Sequence, residues 1–317
     1  MRKYISIILA LILCVTPLCA CGEANTSSEG LSVVTTIFPE YDWVMSILGS
    51  TAEEASVRML LDSGVDLHSY QPTADDIISI GSCDVFIYVG GESDEWAEDA
   101  IKSASNKDMK VIKLLDVLGD MAKAEETVEG MEAEEEEDGE ALDEHIWLSL
   151  KNASVCCEEI ARVLSEADAE NASVYTANAE AYIEKLNALD AKYADAVSSA
   201  RLDTLLFADR FPFRYLADDY GLSYFAAFSG CSAESEASFE TLAFLADKVN
   251  ELGLSSVLTL EGSDLKMADT VIKTSGADAR ILCMDSMQSI TAQDVKSGAN
   301  YLAIMEKNLD VLKEALN

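Results

Sequence analysis

The feature that most constrains this chain is a regular alternation of short β-branched runs with longer segments of helical periodicity. Such alternation predicts βαβ units, so we expect an α/β fold of two lobes, each a mostly parallel β-sheet flanked by helices. The lobes are expected at residues 31–165 and 202–317. The predicted strands are Ser32–Ile37, Ser56–Leu61, Val85–Val89, Val111–Leu114, Thr204–Phe207, Tyr224–Ala227, Ser256–Leu260 and Ala279–Cys283.

An Ala-rich segment, Glu166–Arg201, lies between the two groups of strands and contains neither Pro nor Gly. A single helix over this segment would be roughly 50 Å long at 1.5 Å per residue, which is more than one lobe needs. We therefore expect one long rigid helix that links the lobes. Two helices with a break near Asn171 are the alternative.

The N-terminus has the pattern of a targeting segment. The apolar stretch Tyr4–Leu18 is shorter than the roughly 20 residues that span a bilayer as a helix. Small residues before Cys21 are typical of a lipoprotein signal, so we predict a signal peptide at residues 1–20 and lipidation of Cys21. Residues 21–30 would then be a polar tether, and the protein would be extracytoplasmic and lipid-anchored to the cell membrane. An ordinary signal peptide with an incidental cysteine is the alternative.

The chain is strongly acidic, with 22 basic and 58 acidic residues and a formal charge of −36. This charge repels nucleic acid and attracts cations, so a nucleic-acid-binding role is excluded. Twelve acidic residues and no basic residue fall within Glu125–Glu144, which predicts a mobile loop. The loop is either a solvated insertion or an antenna that gathers cations for His145, which follows it directly.

Beyond Cys21 the remaining cysteines are odd in number and irregularly spaced, which argues against a disulfide framework. We interpret most of them as small core residues. They are Cys83, Cys156, Cys157, Cys231 and Cys283.

The chain contains only two histidines, His68 and His145. His68 follows a predicted strand and precedes a predicted helix, and His145 follows the acidic segment. Imidazole is the most frequent metal-ligand side chain, and α/β folds bind ligands at the carboxyl ends of parallel strands. Each histidine alone is more often structural, so the surrounding motifs matter.

Six motifs surround these histidines in a characteristic order. They are Thr35–Pro39, Val65–Thr73, Asp84–Gly91, His145–Leu148, Lys151–Ala153 and Tyr220–Leu222. In this order and at these separations they closely resemble the metal-binding lipoproteins of zinc and manganese ABC importers, the cluster A-I solute-binding proteins. The resemblance covers roughly Leu31 to Leu316. It implies a binding protein, not an enzyme, that captures Zn²⁺ or Mn²⁺ between two lobes and delivers it to an ABC permease and its ATPase.

The resemblance also implies metal ligands. His68 corresponds to the first ligand, although Leu67 replaces a proline and Gln71 a glutamate of the family's motif. His145 corresponds to the second ligand. A late aspartate after the last strand is usually the fourth, and Asp285 matches it.

The third ligand is where the sequence departs from the family pattern. The family has a histidine or glutamate ten residues before the tyrosine that corresponds to Tyr220, and this position is Arg210. A guanidinium stays protonated and cannot bind a metal. Its neighbour Asp209 is a candidate, either as a ligand or as a helix cap. Glu261 is a further candidate, and Arg210 would then offset excess negative charge beside the metal.

Two imidazoles and two carboxylates can bind zinc at roughly 2.0–2.2 Å, and the same set suits manganese. We place zinc ahead of manganese.

The residues also leave two other functions open. A lipoprotein for an organic solute would use aromatic side chains and an arginine clamp such as Phe211, Phe213, Arg210 and Arg214. A secreted zinc hydrolase would need an open water position, and the chain has no His-Glu-x-x-His motif.

Overall fold

The computed structural model describes residues 30–132, 141–232 and 236–317. The predicted signal peptide, Cys21 and most of the predicted tether lie outside the described residues, as does the middle of the acidic segment. Over the described residues, no helix combines the length and the apolar character needed to cross a bilayer.

The first lobe is built on a parallel sheet with the strand order β2-β1-β3-β4. Its strands are β1 (Ser32–Thr35), β2 (Ser56–Met59), β3 (Val85–Tyr88) and β4 (Lys110–Lys113). β3 is buried along its whole length because helices cover both faces of the sheet. The helices are α1 (Phe38–Leu48), α2 (Ala74–Ser82), α3 (Glu95–Ser103), α4 (Leu114–Leu118) and α5 (Leu150–Ala167).

The second lobe repeats this topology, with the strand order β6-β5-β7-β8. Its strands are β5 (Thr204–Phe211), β6 (Ser223–Ser229), β7 (Ser256–Leu260) and β8 (Arg280–Met284). Its helices are α7 (Arg214–Tyr220), α8 (Phe239–Leu252), α9 (Lys266–Ser275), α10 (Ala292–Lys296) and α11 (Tyr301–Ala315). The predicted fold class is confirmed. β5 runs four residues beyond its predicted end at Phe207, through a register shift between Phe207 and Arg210, so Asp209 lies within the strand.

The helix that links the lobes is α6 (Ala172–Ser198), of 27 residues. The single helix predicted over Glu166–Arg201 is instead divided, because α5 ends at Ala167. The carboxylate of Asp168 accepts hydrogen bonds from the Asn171 amide (2.8 Å) and the Tyr175 hydroxyl (2.6 Å). These side-chain hydrogen bonds compete with continuation of the helix at this point. The break therefore falls near Asn171, as the two-helix alternative predicted.

The last helix, α11, joins the two lobes through buried hydrogen bonds. Tyr301 donates from its hydroxyl to the Trp147 carbonyl (2.6 Å), and Tyr193 of α6 donates to the Met305 carbonyl (2.6 Å). Trp147 in turn donates from Nε1 to the Ser286 carbonyl (2.9 Å) in the second lobe. One hydrophobic core includes buried residues of both lobes. Because packed interiors resist deformation, this shared core restricts the motion of one lobe against the other.

The described ends of the acidic segment are fixed, which corrects the prediction of a mobile loop over the whole of Glu125–Glu144. Ala124 and Leu142 form an antiparallel bridge. Glu132 accepts hydrogen bonds from the Ser238 N–H (2.6 Å) and the Thr241 hydroxyl (2.7 Å) at the start of α8. A carboxylate is stabilised by the exposed N–H groups of a helix N-terminus, which explains why this acidic side chain docks there.

The carboxyl group of Asp42 provides a test of how α1, α6 and α11 pack. It accepts hydrogen bonds from the Tyr182 hydroxyl and the Tyr301 N–H, both at 3.2 Å, and burial raises its pKa from 3.8 to about 6. A carboxyl pKa that is higher in the folded state contributes stability that is complete below pH 3.8 and is lost as the pH rises through about 6.

We expect Asp42→Asn to lack this loss, since an amide stays neutral and its oxygen still accepts both hydrogen bonds. As the pH rises through this range, the difference between the free energy of unfolding of the variant and that of wild type should increase by up to about 3 kcal/mol. Each unit of pKa shift corresponds to about 1.4 kcal/mol. Urea unfolding with a chelator present measures it. A difference that does not change with pH would contradict the assignment.

Candidate metal centre

His68 is placed by a short turn after β2. The turn Leu67–Ser69 begins at Asp66, whose carboxylate accepts the His68 N–H at 3.0 Å. The imidazole Nδ1 lies 2.8 Å from the Ser93 hydroxyl and 3.5 Å from Oε2 of Glu144. A hydroxyl and a carboxylate therefore both face the Nδ1 side of this ring.

His145 is fully buried and sits just before the turn Ile146–Leu148. Oδ1 of Asp143 accepts its backbone N–H at 2.8 Å and lies 3.0 Å from its Nδ1. A carboxylate at this distance fixes the proton on Nδ1 and leaves a lone pair on Nε2, which is the arrangement found in histidines that bind metals.

The two Nε2 atoms face each other at 3.2 Å. We assign the His68 proton to Nδ1 as well, because Glu144 lies on that side of the ring. Both lone pairs then point into one space and repel unless a cation lies between them. Two nitrogen ligands of one tetrahedral zinc ion are about 3.3 Å apart, so the spacing fits a shared metal.

Burial changes the proton affinities around the pair. Burial and, to a smaller extent, the neighbouring His145 together lower the pKa of His68 to about 3. The imidazole is therefore neutral at physiological pH, the form that binds metals. Burial also raises the pKa of Glu144, and Oε2 of Glu144 accepts no hydrogen bond among the described residues.

Cys231 is the third metal-binding side chain at this point. The ligand atoms of His68, His145 and Cys231 all lie within 4.8 Å of one another. Cys231 follows β6, and a Cβ on its neighbour Gly230 would lie only 3.0 Å from Nδ1 of His145. This close approach of the backbone requires glycine. The sequence alone groups Cys231 with cysteines that we interpret mostly as core residues, although its place after a parallel strand is the same signal that singled out His68.

Gln288 is a second residue near the histidines that was not predicted from the sequence. With its amide nitrogen oriented to donate to Oδ2 of Asp66 at 2.5 Å, Gln288 has its amide oxygen 2.6 Å from Nε2 of His145. Because the His145 proton is assigned to Nδ1, this oxygen accepts no hydrogen bond from Nε2 and is instead a further donor atom that faces the space between the imidazoles. Gln288 follows Met287, which adopts the left-handed conformation with φ of 65°, rare for a side chain of this kind. This turn directs the buried amide toward the imidazole pair.

The candidate carboxylates have other partners. Asp285 accepts the Met287 N–H at 2.8 Å, and Asp209 accepts the Leu260 N–H at 3.2 Å. Glu261 accepts the backbone N–H and the hydroxyl of Ser286 at 2.7 and 2.6 Å. Within the described ranges, none of these three joins the group formed by the two histidines and Cys231. They hold the strand ends and the turn that carries Gln288.

Arg210 pairs with Asp66 across the cleft, with Nη2 and Oδ2 2.7 Å apart. Each side chain is about one quarter exposed, so the pair is only partly screened by solvent. Beside it, Asp66, His68, Asp209, Arg210 and Glu261 line part of a cavity of about 640 Å³. His68 faces this cavity, whereas His145 is not among the residues that line it.

The chain is similar to known zinc-binding and zinc-uptake proteins. The family described as "Zinc-uptake complex component A periplasmic" matches residues 33–315. The "Zinc-binding lipoprotein AdcA" of Streptococcus pneumoniae is 33% identical over 312 residues, which cover 98% of this chain and 61% of that protein. The "High-affinity zinc uptake system protein ZnuA" of Bacillus subtilis is 29% identical over 295 residues, 93% of this chain and 90% of that protein.

Two solved structures of such proteins also match this chain. The Zn(II)-bound ZnuA-like domain of S. pneumoniae AdcA matches with a TM-score of 0.71 and 31% identity, covering 90% of this chain and 99% of that chain. The lipoprotein YcdH of B. subtilis matches with a TM-score of 0.73 and 27% identity, over 90% of this chain and 99% of that one. The chain spans about three fifths of the length of the AdcA proteins that it matches.

The tautomer of His145 is a direct test of the site geometry. In metal-free protein above neutral pH, we expect the proton on Nδ1, because Asp143 accepts it. Long-range nitrogen-15 correlation spectra of the ring measure this. Asp143→Asn should weaken the preference, and a proton on Nε2 in the wild type would contradict the assignment.

Proposed function

The chain belongs to the zinc-uptake complex component A family, and we propose that it captures a zinc ion outside the cytoplasm and delivers it to an ABC import permease and its ATPase. The observation that carries the proposal is the pair of Nε2 atoms at 3.2 Å, each with a carboxylate near its Nδ1. Relatives are named for zinc binding and zinc uptake, which supports zinc over manganese as the cargo.

Anchoring by lipid at Cys21 is part of the proposal. The S. pneumoniae relative is named a lipoprotein, and the sequence around Cys21 has the corresponding pattern. Lipidation would keep the protein beside a permease in the same membrane, which raises the local concentration of loaded carrier.

Capture works through ligands that come from opposite sides of a cleft. His68 and His145 belong to the first lobe, and the turns that carry Cys231 and Gln288 belong to the second. An ion bound by both lobes stabilises the closed arrangement by its higher affinity for that state. The shared core limits the accompanying motion, so release requires the permease to distort the site.

Removal of either imidazole is the test of this function. We expect His68→Ala and His145→Ala to lose zinc binding, because a single remaining imidazole cannot hold the ion with comparable affinity. Zinc at about 1,000 times its dissociation constant stabilises wild type by roughly 4 kcal/mol, which raises the melting temperature, and a chelator reverses the shift. Isothermal titration and thermal unfolding with Zn²⁺ and Mn²⁺ measure both effects.

Asp209→Asn is the matched control, since its amide oxygen can still accept the Leu260 N–H. This variant should keep its response to zinc. A carrier of an organic solute would be indifferent to His68→Ala, and wild-type protein that does not respond to either ion would overturn the proposal.

A further inference from the structure

We propose that the thiolate of Cys231 is the third zinc ligand, supplied by the second lobe at the position where a carboxylate or histidine was expected. This inference rests on the proposed function. The sulfur lies within 4.8 Å of one ring nitrogen of each histidine. A tetrahedral zinc ion with Zn–N of about 2.0 Å and Zn–S of about 2.3 Å separates nitrogen and sulfur by about 3.6 Å. The difference from the 4.8 Å limit is about 1.2 Å, so a side-chain shift of this size would bring the sulfur and a ring nitrogen to the separation that one zinc ion requires.

The other candidate ligands support this assignment because their carboxylates form hydrogen bonds elsewhere. Asp209, Glu261 and Asp285 each accept backbone N–H groups that hold the second lobe's strand ends. Arg210 cannot bind a metal, and its charge is matched by Asp66. Cys231 is the residue of the second lobe, within its described part, that offers an ionisable ligand atom to both imidazoles.

The loop that carries Cys231 is held from both sides. Glu125, at the start of the acidic segment, accepts the Cys231 N–H through Oε1 at 2.8 Å. Arg210 donates from Nη1 to the carbonyl of the next residue, Ser232, at 3.4 Å. Glu125 is therefore a positioning residue, and the acidic segment acts on the metal through the backbone of this loop.

Binding of zinc breaks the S–H bond of Cys231 and forms a Zn–S bond, and the proton is released to solvent. No electron transfer occurs. Two neutral imidazoles and one thiolate leave a net charge of +1 on the centre, and the amide oxygen of Gln288 is a neutral donor near the fourth position. A thiolate favours zinc over manganese, which prefers oxygen ligands.

The primary test uses Co²⁺ in place of zinc in the full mature chain. A cobalt–thiolate bond gives an intense near-ultraviolet charge-transfer band, which we expect in wild type and in Cys283→Ala, whose thiol is exposed. The band should be absent in Cys231→Ala. Because loss of even an outer-shell partner costs about 10- to 100-fold in metal affinity, loss of this ligand should weaken zinc binding at least about 100-fold.

A second measurement needs no folded variant. Zinc should protect Cys231 of the wild type from iodoacetamide, as read by mass spectrometry, and leave Cys283 reactive.

Compared with Cys231→Ala, Cys231→His should restore zinc affinity without restoring the cobalt band. Glu125→Ala should weaken zinc binding, whereas Glu129→Ala, at an exposed position of the same segment, should not.

The outcomes separate this inference from the proposed function. Zinc binding at unchanged affinity in Cys231→Ala, with no sulfur band in wild type, would overturn the thiolate ligand and leave zinc capture intact. Failure of wild type to bind zinc would overturn both.

Discussion

The site depends on the hydrogen bonds that fix Trp147 between the lobes. Its carbonyl accepts the Tyr301 hydroxyl and its indole donates to the Ser286 carbonyl. His145 lies two residues before Trp147, and Gln288 lies two residues after Ser286, so the same bonds set the distance between donors from opposite lobes. An unpaired buried carbonyl costs about 1–3 kcal/mol. The geometry at the candidate metal centre is therefore enforced by hydrogen bonds in the core beneath it.

The fold could be predicted from the sequence because its signals are local. β-branched runs such as Val85–Tyr88 must be covered on both faces, and their alternation with helical patterns determines the parallel sheets. The break before α6 depended on a few side-chain hydrogen bonds of Asp168, which compete with helix over a single turn. Periodicity does not resolve that competition, and the sequence left both alternatives open.

The site was predictable only in part. The two histidines could be paired because each lies within a recognisable motif and the chain has no other histidine. The metal-ligand candidates of the second lobe could not be predicted, because their position depends on which side chains the turns direct toward the histidines. Asp285 is directed to its own turn, whereas the left-handed residue Met287 directs Gln288 toward His145. Cys231 reaches the histidines because Gly230 allows the backbone to pass against the ring.

The ion pair between Asp66 and Arg210 crosses the cleft without any metal. In this pair the permanently charged guanidinium of Arg210 contacts the carboxylate that also caps the His68 turn. The pair therefore holds Asp66 of the first lobe against Arg210 of the second, and the strength of this contact falls as salt screens it. Rising ionic strength therefore loosens a contact between the lobes that involves neither imidazole directly.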